Sequence, residues 1–108
     1  MKERIEENHM FLNKYLDEFY LEQILNNYDK DYLETVDESN FIAIYNLFKK
    51  YNFYFINDII LKYLEIFTLD ISYIEKEILK LKDKLGTNYI YLIGNNITYL
   101  EEILDNLE

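Results

Sequence analysis

Ser72-Tyr73-Ile74-Glu75-Lys76-Glu77-Ile78-Leu79-Lys80-Leu81-Lys82-Asp83-Lys84-Leu85-Gly86 is the stretch on which the fold turns. A serine followed three positions later by glutamate forms a capping box, whose side chains satisfy free N–H groups at a helix start. Ile74, Ile78, Leu81 and Leu85 then recur at helical spacing, and Gly86 supplies the stop. Lys76, Lys80, Lys82 and Lys84 alternate with Glu75, Glu77 and Asp83, which reads as a mixed-charge solvated face. Thr98-Tyr99-Leu100-Glu101 repeats the device, preceded by Ile97 as Ser72 is preceded by Ile71.

Working outward, the same periodicity covers nearly the whole chain, and with no proline present nothing forces a break. Phe41, Ile44, Tyr45, Leu47, Phe48 and Tyr51 give a helix from about Asp37, with Asn52 placed for a left-handed cap. Ile56 to Phe67 is almost continuously apolar and reads as one buried helix. Ile5, Leu12, Leu16, Phe19, Leu21, Ile24 and Leu25 form an opening amphipathic segment that Asn26-Asn27 ends. Asp31 and Glu34 bracket a short capped turn, and Tyr89 to Ile93 makes a further turn or two that Gly94 stops. Sliding the chain by 34 residues lays Ile44 on Ile78, Leu47 on Leu81 and Tyr51 on Leu85, the pattern of a helical repeat. The expectation is one all-α domain over residues 1–108, either a small bundle or a short solenoid of five to seven helices.

Lys50-Tyr51-Asn52-Phe53, Ile59-Ile60-Leu61-Lys62-Tyr63-Leu64 and Leu81-Lys82-Asp83-Lys84-Leu85-Gly86 together resemble the repeat of the mitochondrial transcription termination factor family. The likeness spans about residues 50–104 and implies stacked helical units, which in that family bind nucleic acid along a basic concave face. Leu64-Glu65 stands where the family's proline would fall, and the required basic surface is missing. The resemblance therefore speaks to architecture and not to activity.

Charge decides the functional class. The 108 residues carry a formal net charge of −10, with 12 tyrosines and no cysteine. Residues 1–40 hold 4 basic and 11 acidic side chains, whereas residues 41–108 hold 7 basic and 10 acidic ones. Such an excess repels nucleic acid and anionic lipid, and tyrosine is a residue of protein interfaces. Without cysteine there is no thiolate metal site, disulfide or thiol nucleophile, and no Gly-rich phosphate loop or nucleophile elbow is present. Glu6-x-x-His9 places a carboxylate and an imidazole on one helical face, but the single histidine leaves a di-metal set incomplete.

The sequence points to a non-enzymatic, cytoplasmic interaction module, without cofactor, metal or membrane span and open to homodimerisation. Its partner would be a protein with a basic surface, contacted through Asp17, Glu18, Glu22, Asp29, Asp31, Glu34, Asp37 and Glu38 with Tyr20, Tyr28 and Tyr32 as anchors. In size and charge the chain resembles phage-encoded inhibitors of restriction and CRISPR systems, whose acids imitate the phosphates of a nucleic acid. The alternative is a helical-repeat module binding nucleic acid or a transcription complex.

Overall fold

A computed structural model describes residues 10–107, and every regular element among them is helical. Seven α-helices run α1 (Glu18–Asn27), α2 (Lys30–Leu33), α3 (Glu38–Lys50), α4 (Ile56–Lys62), α5 (Ile71–Leu85), α6 (Tyr89–Asn95) and α7 (Glu101–Asp105). Three 3-10 turns, η1 (Met10–Lys14), η2 (Leu64–Thr68) and η3 (Ile97–Leu100), complete the series. Ile5 and the Glu6–His9 pair lie outside the described residues.

These elements fall into three successive units of helix, short turn and helix: α1–α2–α3, α4–η2–α5 and α6–η3–α7. The long second helices end at the left-handed residues Asn52 and Gly86, 34 apart as side-chain matching picked out, and are capped at their starts by Asp37 and Asp70, 33 apart. Each carboxylate accepts the backbone N–H three positions on, from Asn40 at 2.9 Å and from Tyr73 at 3.1 Å. Those same two residues bind their unit to the next. The Asn40 carboxamide donates to Phe67 O at 3.0 Å and Leu69 O at 2.9 Å, and the Tyr73 hydroxyl donates to Ile103 O. Stacked in this way, the body measures 45 × 26 × 21 Å.

The core is one continuous cluster. Its middle is aromatic: Phe41 stacks on Phe67 with ring centroids 5.0 Å apart, and Phe67 meets Phe48 at 5.7 Å. All three rings are fully buried, and rings of this size dominate the energetics of a small core.

Helix α3 ends as its sequence predicts. Asn52 adopts φ 68°, Asn52 N–H donates to Lys49 O, and Phe53 N–H donates to Phe48 O. That pair of bonds is a Schellman motif, completed by the Phe48–Phe53 ring contact at 4.9 Å. Gly86, at φ 89°, closes α5 in the left-handed region.

Four expectations are corrected. Asp70, not Ser72, caps α5, because a carboxylate two residues earlier reaches the free N–H of Tyr73 and leaves Ser72 inside the first turn. Thr98 caps nothing; its hydroxyl donates to Asn96 Oδ1, within reach two positions away, while α7 starts at Glu101. The opening segment is broken at Asp17, which accepts from Tyr20 N–H and starts α1 afresh, leaving Phe19 63% exposed instead of on the apolar face. Gly94 does not stop α6, which runs on to Asn95. A Cβ at that position would collide with the Tyr54 hydroxyl, so glycine is there to let a ring approach.

The apolar run from Ile56 to Phe67 is also two elements, not one. Tyr63 leaves helical geometry at φ −131°, ψ 55°, and separates α4 from η2. The Tyr28 hydroxyl fills the gap: it accepts from Leu64 N–H at 3.2 Å and faces Lys62 O at 3.3 Å. A break in a buried helix strands backbone donors and acceptors, and here a side chain from the preceding unit satisfies them.

Candidate functional site

The first unit carries the acidic residues singled out from the sequence. Asp17, Glu18, Glu22, Asp29, Asp31, Glu34, Asp37 and Glu38 are all exposed. Asp17 and Asp37 also cap α1 and α3, while Asp29 precedes α2 without a side-chain cap bond. Glu18 and Glu22 are one turn apart and so project from one side of α1.

None of these eight carboxylates forms an ion pair with a described lysine. The salt bridges among the described residues join Lys50 to Glu75 at 3.4 Å, Lys80 to Glu77 at 3.0 Å, and Lys84 to Glu102. All three acids lie in the second and third units, and Lys50, at the end of α3, reaches across from the first. Three later acids, Glu75, Glu77 and Glu102, are thereby neutralised, whereas the eight of the first unit face solvent with no ion pair among the described residues.

The three candidate tyrosines divide. Tyr28 is committed to the α4–η2 break and stacks on Tyr32 with centroids 5.7 Å apart. The Tyr32 hydroxyl is buried without a hydrogen-bond partner; burial and the neighbouring Glu65 carboxylate push its pKa up. Both are half-buried supports of the fold rather than open anchors. Tyr20 differs. Its hydroxyl donates to Asp58 Oδ1 at 3.2 Å, and the charges of Asp58 and Asp17 with partial burial raise its pKa.

Tyr20 also opens onto a feature the sequence did not disclose. A cleft of about 350 Å³ lies between α1, α3 and the turn into α4, lined by Tyr20, Tyr45, Lys49, Phe53, Tyr54, Phe55, Ile56, Asn57 and Asp58. Its walls combine tyrosine rings with the polar groups of Lys49, Asn57 and Asp58. The Lys49 ammonium stands 5.9 Å over the Tyr45 ring, and Tyr54 is 68% exposed at the mouth. Only Tyr20 among these was singled out from the sequence, because the cleft joins elements nearly 40 positions apart. The clustering of Phe53, Tyr54 and Phe55 beside a non-helical turn was the one available signal.

Elsewhere the ionisable groups do structural work. Glu77 is buried on α5, accepting from Lys80 Nζ at 3.0 Å and from Asn106 Nδ2 at 2.9 Å. Tyr51 donates to Glu75 at 2.6 Å and Tyr63 donates to Glu101 at 2.9 Å. Among the described residues no group of three or more Asp, Glu, His or Cys is placed to hold a metal, and no helix is long and apolar enough to cross a membrane. No protein-family model, no curated protein and no solved structure matches this chain.

Proposed function

We propose that this protein is a non-enzymatic interaction module whose first helical unit docks onto the basic, nucleic-acid-binding surface of a protein partner, as an inhibitor or regulator. One observation carries the reading. Eight carboxylates between Asp17 and Glu38 are exposed without a described lysine in ion-pair range, while in the later units Glu75, Glu77 and Glu102 are each paired with a lysine. Unpaired charge on a rigid surface raises the rate of encounter with an opposite patch and selects partners by sign. The frame suits the task, because Asp17 and Asp37 are held in place by the helix starts they cap.

Capture from a bacterial lysate on immobilised protein tests this. Recovery of a nucleic-acid-binding protein that salt elutes and added duplex DNA displaces supports the reading. Salt-insensitive recovery of neutral partners contradicts it.

A second reading, a helical-repeat module contacting nucleic acid itself, draws support from the 33-residue recurrence of caps and tethers. Net charge opposes it. A gel shift at near-physiological salt separates the two, since the second reading requires retardation of free nucleic acid and the first requires none.

A further inference from the structure

We propose that the cleft between α1, α3 and the turn into α4 seats one arginine side chain of the partner, with Asp58 as counter-ion and Tyr20 and Tyr45 as walls. This rests on the docking reading above and supplies its anchor.

Four observations lead there. The cleft, at about 350 Å³, lies at the small end of ligand sites and suits one extended side chain better than a whole ligand. Asp58 is exposed, and its described hydrogen bond uses Oδ1 only, accepting from the Tyr20 hydroxyl, so a second oxygen remains for an incoming donor. The ring faces accept cations, because the Lys49 ammonium already stands over Tyr45 at 5.9 Å. The local charge favours a cation as well: Asp58 and Asp17 both act on the Tyr20 hydroxyl, against the single ammonium of Lys49.

Other occupants fit worse. An anion would meet Asp58, and an apolar side chain would bury that carboxylate without compensation. A guanidinium stacks flat on an aromatic ring while its fork of N–H groups reaches a carboxylate, which a compact ammonium cannot do at once. Lys49 then acts as a gate residue at the rim: the arriving arginine displaces its ammonium from the Tyr45 face.

The test titrates the full chain with the blocked peptide acetyl-Gly-Arg-Gly-amide, following tyrosine-ring and backbone NMR signals. A citrulline peptide, equal in shape but uncharged, runs beside it. The expected result is shifts centred on Tyr20, Tyr45 and Asp58, with the citrulline peptide weaker by about tenfold or more. Asp58→Asn, an exposed change that leaves the fold intact by circular dichroism, should weaken the arginine peptide by a similar factor of about ten. Lys49→Ala should strengthen it, by about two- to fivefold, once the resident cation is gone.

Equal binding of the citrulline peptide, an unaffected Asp58→Asn variant, or shifts spread over Glu18, Glu22 and Glu34 instead of the cleft would each overturn the proposal. The acidic docking surface would still stand. Conversely, an arginine peptide seated in the cleft beside partner capture that ignores the first-unit acids would sink the docking reading and keep the cleft.

Discussion

Tyr63 donates its hydroxyl to Glu101 Oε2 at 2.9 Å, joining the break after α4 to the first residue of α7 across 38 positions. Tyr28 does the equivalent one unit earlier, reaching Lys62 and Leu64 from the end of α1. Much of the tyrosine content is thereby explained as a set of ring-and-hydroxyl tethers between units. Removing one hydroxyl from a nearly buried ring costs about 1 kcal/mol, so Tyr63→Phe should lower unfolding free energy by that amount in urea titration. Tyr91→Phe, at a ring 64% exposed, should change it by less than about 0.5 kcal/mol.

The same bond sets the alkaline limit of the fold. Burial and the Glu101 carboxylate push the Tyr63 pKa up from 10.0 to about 12. The folded state holds this proton more tightly than the unfolded chain does, so the contribution is complete below pH 10 and is lost as pH rises towards 12. Ultraviolet titration should show a tyrosine ionising near pH 12, together with loss of helical signal. Tyr63→Phe should flatten that part of the stability curve.

Glu77 sets the acid limit. It stands 33 positions after Ile44, so one unit buries a carboxylate where the preceding one buries isoleucine. Burial alone would raise its pKa, but the bonds from Asn106 and Lys80 and the charge of Lys76 outweigh that and hold it below the ordinary 4.5. The folded carboxyl releases its proton more readily than the unfolded one. Its contribution is therefore complete above about pH 4.5 and fades as pH falls through the lower folded value. Glu77→Gln should cost about 1–2 kcal/mol at neutral pH, and the two proteins should converge in stability as acid titrates the native carboxylate.

Gly94 presents two opposed effects. Alanine in a helix interior is worth about 1 kcal/mol over glycine, but its Cβ would strike the Tyr54 hydroxyl and press on the Phe55 ring. Tyr54 is mostly exposed and can swing away, so Gly94→Ala alone should be within about 0.5 kcal/mol of neutral. In a Tyr54→Ala background the same change should stabilise by up to about 1 kcal/mol. A thermal-melt cycle over the four proteins measures the coupling.

What the sequence disclosed follows the range of the forces involved. Asp37, Asn52 and Gly86 announced their helix ends because caps and left-handed residues act on backbone groups within a few positions. Ser72 misled for the same local reason: Asp70, a competing acceptor, sits two residues earlier. The Tyr63 break left no local mark, having neither proline nor glycine, since the group that satisfies it arrives from Tyr28. The acidic residues were found where composition placed them. The cleft beside them was not, because Tyr20, Tyr45 and Asp58 meet only once α1 packs on α4.

The most direct measurement compares two charge-matched double variants for binding to the captured partner across a salt series. Glu18→Gln/Glu22→Gln removes two charges from the first unit, and Asp83→Asn/Asp105→Asn removes two exposed ones from the later units. The account predicts that the first pair weakens low-salt binding by about tenfold, and that the loss shrinks towards about 1 M salt, where screening acts within about 3 Å. The second pair should leave binding unchanged. Equal effects from both pairs, or a first-pair loss that salt does not diminish, would contradict it.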